Sequence, residues 1–316
     1  VVRPVLDLMR GVAVSHGICP RYSDVDAYHM AACAVDEAMR NLVCVGADPD
    51  RVAALDNFCW CDPVAGPSNP DGVYKLAQLV RCAKALKDVC IAYRMPLVSG
   101  KDSMKNDYAI GATKISIPPT LLVTAVGQVE DVRRAVSMDV KRAGDRVYVL
   151  GRTFADLGRS HFFDMYGVNG GSVPKLRTPE RTMEMYRWLH RAMRAGLVAS
   201  CHDLSDGGLA VAAAESAFAG GLGLELDLRR VEKDGELTDA ELLFSETPGR
   251  LLVTVHKGCE AAFEVLLKDL AAAVGTVVAL PRLQIAGLAG ERIVDADING
   301  LKDAWRKPLR FGEVSK

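Results

Sequence analysis

Cys201-His202-Asp203-Leu204-Ser205-Asp206-Gly207-Gly208-Leu209 follows an apolar approach, Gly196-Leu197-Val198-Ala199, and runs into an Ala-rich segment that ends at Gly220-Gly221. The approach reads as a short buried strand. The Ala-rich segment has high helix propensity and a glycine stop. The order is strand, polar loop, Gly-Gly, helix, and such a loop turns the N–H groups of a helix N-terminus toward an anion. Asp203 and Asp206 would repel a bare phosphate. A divalent metal between carboxylate and phosphate removes that objection, because Mg2+ favours one or two carboxylates together with phosphate oxygens. The competing reading is an N-cap, with Ser205 or Asp206 closing off the helix.

Working outward, the second half reads as a strand at 146–151, a Gly-rich polar insertion to Thr178 and a helix at 179–195 before the opening stretch. After it come a strand at 222–228, a short helix at 239–244, a strand at 250–255 and a helix at 260–273. Strands near 283–288 and 292–298 and a last helix through Trp305 complete it. The first half begins with a strand at 11–15 and a helix from an Asp24 cap to about Val45. Ala27, Met30, Ala31, Ala34, Val35, Ala38 and Leu42 recur on its inner face. Glu37 and Asn41 lie one turn apart beside that stripe, and both offer oxygens. A strand at 52–55 leads into Asp56, and a loop rich in Pro, Gly, Asn and Asp covers 62–72. A second helix at 73–93 carries Leu76, Leu79, Val80, Ala83, Leu86 and Val89 inward. A strand at 96–98 feeds the loop Ser99-Gly100-Lys101-Asp102-Ser103-Met104, and 120–127 is the most strand-like run of this half. The boundary falls near Ser137, giving domains 1–137 and 138–316. Both are mixed α/β, without the regular alternation of a barrel of parallel strands.

Composition bounds the function. The chain has 316 residues, 49% hydrophobic and 25% charged, as in a globular protein of two domains. A formal net charge of −1 argues against a nucleic-acid or anionic-membrane surface. No apolar run reaches the ~20 residues that span a bilayer. Nine scattered cysteines without a Cys-x-x-Cys pair point to a reducing, cytoplasmic compartment. Val1-Val2-Arg3-Pro4 shows no signal-peptide pattern and reads as entering a fold partway.

Gly100-Lys101 with Ser103 is not a phosphate-binding P-loop, because Met95 and Asp102 stand where that motif needs Gly and Ser or Thr. Gly-x-Gly-x-x-Gly after the first strand, Gly-x-Ser-x-Gly and His-Glu-x-x-His are absent, and no catalytic nucleophile stands out. The surviving candidates are loops at strand ends (Asp56, Gly100–Ser103 and Asp203–Asp206) and the helical pair Glu37/Asn41.

In order along the chain, these stretches resemble the second half of the phosphoribosylformylglycinamidine synthase family. The resemblance runs through Tyr28-His29-Met30-Ala31, Val35-Asp36-Glu37-Ala38-Met39-Arg40-Asn41-Leu42 and Leu55-Asp56-Asn57-Phe58. It continues through 96–104, 202–209 and Leu243-Phe244-Ser245-Glu246-Thr247-Pro248-Gly249-Arg250. It implies a two-domain unit of the aminoimidazole ribonucleotide synthetase type: an N-terminal barrel-forming mixed sheet with helices, then a C-terminal α/β sandwich. The reaction it implies is that of a C–N ligase with glutamine as amido donor. ATP phosphorylates the amide oxygen of formylglycinamide ribonucleotide, and ammonia displaces phosphate to give the amidine. Positioning and electrostatics carry such chemistry.

By the same resemblance Asp56 and Gly100 match ATP contacts and Ser103 a substrate contact. Lys101 stands where the family's small form has a metal-binding Asn; a protonated Lys binds phosphate instead. Glu37, Asn41 and Asp203 match Mg2+ ligands, with Ser205 on the nucleotide, in an auxiliary ATP/ADP site of the large form. The first half of the synthetase and the glutaminase, expected partners, are not in this sequence, so the chain alone is expected to be inactive. Two other readings remain: a non-turnover Mg2+-nucleotide module, and another member of the superfamily such as aminoimidazole ribonucleotide synthetase. Residues 120–126 are nearly all hydrophobic, like a strand buried on both faces. That pattern, with the family's duplicated architecture, predicts a homodimer.

Overall fold

The structure, a computed structural model, describes residues 1–111 and 113–309. Its first half runs β1 (Gly11–Ile18), α1 (Ala27–Cys44), β2 (Val52–Cys59), α2 (Gly72–Tyr93), β3 (Leu97–Ser103), β4 (Asp107–Ile110), β5 (Thr113–Ser116) and β6 (Thr120–Val129). Four of these strands form a sheet in the order β1-β6-β2-β3, and β4 pairs β5 in a separate hairpin. β6 lies antiparallel to both β1 and β2, while β2 and β3 are parallel. A parallel pair needs a crossover, and α2 supplies it.

The second half runs β7 (Arg146–Leu150), α3 (His161–Met165), α4 (Pro179–Arg194), β8 (Val198–Asp203), α5 (Gly208–Gly220) and β9 (Gly223–Asp227). It continues with α6 (Asp239–Phe244), β10 (Leu251–Val255), α7 (Glu260–Leu267), β11 (Ala271–Val278), β12 (Arg282–Ala286), β13 (Arg292–Asp297) and α8 (Ile298–Arg306). Seven strands form one sheet, β13-β12-β9-β11-β7-β10-β8. α5, α6 and α8 cover one face through Leu209, Ala213, Leu242 and Ile298. α4 and α7 cover the other through Met183, Tyr186, Leu189 and Phe263, and this second core continues into α1, α2 and the first sheet. The mixed α/β class and the layered second half agree with the sequence reading. The first sheet is open among the described residues, with β1 and β3 as edges.

Side-chain alternation fixes the faces of the first sheet. Ala13, Leu121, Val123, Ala125 and Ala54 are buried under the helices, whereas Val14 and Ile18 on the opposite face are 54% and 45% exposed. Val14 pairs with Val126, and Val126 with Ala53, so an apolar row crosses the exposed face beside the hydrogen-bonded pair His16 and Thr124. β6 is therefore buried on one face and half-buried on the other within this chain, not buried on both.

Other expectations need correction. Gly100, Lys101 and Ser103 are on strand β3, and Asp56 lies within β2; neither set is a loop. Pairing with β2 supplies the hydrogen bonds that outweigh the weak strand propensity of this polar run. The cap of α1 is Asp26, whose side chain accepts from the Tyr28 N–H, while Asp24 ends a preceding turn of 3-10 helix. Residues 271–273 are strand, because β11 sits between β9 and β7 in the sheet, and pairing overrides the helix preference of alanine.

The inner face of α2 is also turned. Leu86 and Val89 point inward as expected, but Leu76, Val80 and Ala83 are exposed and Lys75, Gln78 and Cys82 are buried. Lys75 is held there because its ammonium donates to Asn69 Oδ1 (2.9 Å) and Ser116 Oγ (3.1 Å), fastening the 62–72 loop and the β4–β5 hairpin to the helix.

Candidate nucleotide site

α1 is buried almost all round, and Glu37 and Asn41 are among the few positions that keep partial exposure. The helix lies so close to β1 that a Cβ on Gly17 would come 1.9 Å from the Ala34 carbonyl oxygen. That approach brings β1 backbone groups to both side chains. Glu37 Oε2 accepts from the Ile18 N–H (2.8 Å), and Asn41 Nδ2 donates to the His16 carbonyl (3.3 Å).

From the other half, β8 ends at Asp203 and the loop to α5 carries Ser205. The cap of α5 is Gly207, in the left-handed conformation and without a side-chain cap, so neither Ser205 nor Asp206 closes the helix. Ser205 instead donates its hydroxyl to Asp203 Oδ2, and Arg40 of α1 donates to Ser205 Oγ (2.8 Å). Arg40 also stands 3.7 Å from Asp203 Oδ2. Arg40 thus joins the α1 residues to the β8–α5 loop.

Asp36 and Arg40 are the residues that the sequence reading passed over. Both are buried, and they pair with each other at i,i+4 on α1. Asp36 accepts from Tyr93 (2.5 Å), Tyr186 (2.7 Å) and the Gly249 N–H (2.8 Å) as well as Arg40. Their signal in the sequence was two opposite charges four residues apart on the helix side opposite the predicted stripe, among the apolar residues Ala32, Cys33, Met39 and Val43. Glu246 was quoted but given no role. Its carboxylate accepts from Tyr22 (2.7 Å), the His161 N–H (2.9 Å) and the Gly207 N–H (3.0 Å), tying the start of α5 to the first half.

The electrostatics are those of a crowded acidic cleft with buried cations. Burial pushes the Glu37 carboxyl up to about 7, against the pull of Arg40 and the Ile18 N–H, and the charges of Asp203 and Asp206 add to the rise. Asp203 is held far below the usual carboxylate range: burial opposes this, and His202, Arg40 and Ser205 overcome it. His202 is pushed up to about 10; burial works against its charge, but hydrogen bonds to Asp203 and Glu215 prevail. Among the described residues no three His, Cys, Asp or Glu side chains are gathered into a site able to hold an ion unaided.

The second set of candidates lies elsewhere. Asp56 faces Gly100 across the β2–β3 pair, and a Cβ on Gly100 would sit 3.0 Å from both carboxylate oxygens. Burial raises the Asp56 carboxyl, and the charge of Asp102 adds to it. Lys101 and Ser103 alternate to the opposite, open face, where the Lys101 ammonium donates to Ser103 Oγ. β3 and β1 are opposite edges of the sheet, three strand spacings or roughly 14 Å apart. The fold therefore brings Glu37, Asn41, Asp203 and Ser205 to one cleft, leaves Gly100 on the far edge strand with Asp56 on the strand beside it, and turns Lys101 and Ser103 to the other face.

Comparison with known proteins places this architecture. Residues 3–129 match the family model described as AIR synthase related protein, N-terminal domain, and residues 142–287 match its C-terminal domain. The phosphoribosylformylglycinamidine synthase subunit PurL of Deinococcus radiodurans is 34% identical over 307 residues, covering 95% of this chain and 39% of that protein. The subunit of the same name from Methanocaldococcus jannaschii is 32% identical over 309 residues, covering 96% and 40%. The chain thus spans about two fifths of the length of these curated relatives. Among solved structures, Thermotoga maritima PurL complexed with FGAR superposes with a TM-score of 0.75 at 20% identity, over 92% of this chain and 46% of that one. HypE of Escherichia coli superposes at 0.64 with 16% identity, over 91% and 85%. These structural likenesses establish a shared fold, and the two domain models, which together span most of the chain, show that it belongs to the AIR synthase related family.

Proposed function

We propose that this chain is the second half of the synthetase part of an ATP-dependent phosphoribosylformylglycinamidine synthase, and that the cleft between α1 and the β8–α5 loop holds a nucleotide with Mg2+. The observation that carries the reading is the convergence of Glu37, Asn41 and Arg40 from the first half on Asp203 and Ser205 from the second. The relatives named PurL, among them structures complexed with ATP and ADP, support the nucleotide class.

The residues fit a hard divalent cation. Glu37 is an acid that burial and neighbouring carboxylates keep from ionising freely, as expected where a cation is the missing neighbour. Glu37, Asp203 and the Asn41 amide oxygen would hold Mg2+, with nucleotide phosphates completing its shell. Bound there, the ion would screen the phosphate charge. Ser205 offers a hydroxyl and the first turn of α5 its N–H groups to the phosphates. Arg40 keeps Ser205 turned into the cleft.

The amidine-forming reaction, with formylglycinamide ribonucleotide as substrate and ammonia from a glutaminase, belongs in this proposal to the assembled enzyme. Within it Asp56 and Gly100 contact ATP, Ser103 contacts substrate and Lys101 binds phosphate. In this reading the domain boundary lies at residue 137, between the last strand of one sheet and the first of the other. The exposed apolar face of the first sheet is where the first half of the synthetase, or a second copy of this chain, completes the barrel. A cytoplasmic location accords with nine free thiols.

Calorimetric titration of the chain with ADP, with and without Mg2+, tests the site: Mg2+-dependent binding at one nucleotide per chain is expected, and no binding removes the reading. Product assays test the rest. The chain alone should form no amidine from formylglycinamide ribonucleotide, ATP and ammonia, and the chain supplied with a first half should form it.

A further inference from the structure

We propose that His202 is a positioning residue for Asp203. Its imidazole, clamped by Glu215 and through Glu215 by Trp305 of α8, holds the carboxylate in the orientation that a cation-bound nucleotide requires. The inference rests on the nucleotide reading above.

Both ring nitrogens of His202 are engaged by carboxylates. Nδ1 donates to Asp203 Oδ1 at 3.1 Å and Nε2 donates to Glu215 Oε2 at 2.8 Å. The two oxygens of Asp203 are thereby assigned, Oδ1 to His202 and Oδ2 to Ser205 and Arg40. A carboxylate at the end of a strand is otherwise free to turn about its last torsion, and a bond to each oxygen removes that freedom. Glu215 sits on α5, the helix whose first turn faces the cleft, so the clamp ties the ligand-bearing strand end to that helix. The remaining oxygen of Glu215 accepts from the Trp305 indole N–H at 3.1 Å, and the Trp305 ring packs on Phe218 with centroids 5.9 Å apart. The chain of contacts runs Asp203, His202, Glu215, Trp305, from the cleft to the last helix. Partners that fix a metal-binding carboxylate in this way are worth 10- to 100-fold in metal affinity.

A tie that merely joins β8, α5 and α8 would use the same bonds, so the test separates the two roles. Mn2+ binding in the presence of saturating ADP is followed by electron paramagnetic resonance, with the thermal midpoint of each ligand-free variant measured alongside. His202→Phe removes both donors and is expected to weaken Mn2+ binding about tenfold or more. His202→Asn keeps a donor at the Nδ1 position and gives up Glu215, so its melting should fall with that of the Phe variant while its Mn2+ affinity stays within about threefold of the parent. Wild-type affinity in His202→Phe, or Asn and Phe affinities falling together in step with melting, overturns the proposal. Should the Phe variant fail to fold, Glu215→Gln carries the test, with about threefold weaker Mn2+ binding expected and parental affinity overturning it. A parent chain that binds no Mn2+ with ADP would instead refute the nucleotide reading itself.

Discussion

The phenol of Tyr186, from the second half of the chain, donates a 2.7 Å hydrogen bond to Oδ1 of Asp36, a fully buried carboxylate in the first half. Tyr93 shares that oxygen, while Arg40 and the Gly249 N–H take the other. Removing the carboxylate breaks the buried i,i+4 ion pair and leaves Arg40 only Ser205 and the more distant Asp203, which costs about 3–5 kcal/mol. Asp36→Ala should therefore lower the urea midpoint steeply, and Tyr186→Phe should cost about 1–2 kcal/mol by losing a single hydrogen bond. Equal midpoints for Asp36→Ala and the parent in equilibrium unfolding would show that this carboxylate does not hold the halves together.

Asp203→Ala and Glu37→Ala each take a carboxylate from the cleft. Each should weaken Mg2+-ADP binding about tenfold or more, equivalent to about 1.4 kcal/mol or more, while binding without Mg2+ changes less. Calorimetry showing unchanged affinity in both variants would rule out a shared cation.

Glu37 and His202 each contribute a distinct window to the pH response of the ligand-free chain. Glu37, raised from 4.5 to about 7, stabilises the fold fully below 4.5, and that contribution is lost as pH rises to about 7. His202, raised from 6.5 to about 10, contributes fully below 6.5 and loses its contribution as pH climbs through about 10. Thermal scans should show the parent falling relative to Glu37→Gln in the lower window and relative to His202→Gln in the upper one. Parallel pH profiles for parent and variant would contradict the corresponding assignment.

Lys101 is exposed on the open face of β3, so Lys101→Met should change stability by no more than about 0.5 kcal/mol. In the assembled synthetase the same variant should reduce turnover, because a phosphate loses its counter-charge. Steady-state rates equal to the parent's would mark the side chain as a solvated charge only.

The apolar face through Val14, Val126 and Ala53 should bring two copies of the chain together at micromolar concentration, giving a sedimenting mass near twice 34.0 kDa. Val14→Lys, at a 54% exposed position, should shift that mass to the monomer with the fold retained. A parent chain that sediments as a monomer would mean that the face is not self-complementary.

Several elements were legible in the sequence: β6 and α5 lie close to where a nearly all-hydrophobic run and an alanine-rich segment with a glycine stop put them, and α6 matches the short helix read at 239–244. Of β3 only the start was, as the strand read at 96–98, because Ser99-Gly100-Lys101-Asp102-Ser103 has no strand propensity of its own and becomes a strand only by pairing with β2. Glu37, Asn41, Asp203 and Ser205, which the fold gathers at one cleft, were singled out through their oxygens and the resemblance. Asp36 and Arg40 were not, since an i,i+4 ion pair on a helix reads as surface decoration until Tyr186 and Gly249, 150 and 213 residues away from Asp36, close over it.

The core that runs from α1 and α2 through α4 to α7 bears on how the chain tolerates being cut. The segment joining the two sheets is a covalent seam laid across a continuous apolar interior. A single proteolytic nick there should leave the two pieces associated and refolding as one, while either piece expressed without the other would carry half of an interior on its surface and aggregate. Tyr93 and Tyr186, which meet over Asp36 with ring centroids 6.2 Å apart, would be parted only when the whole molecule unfolds.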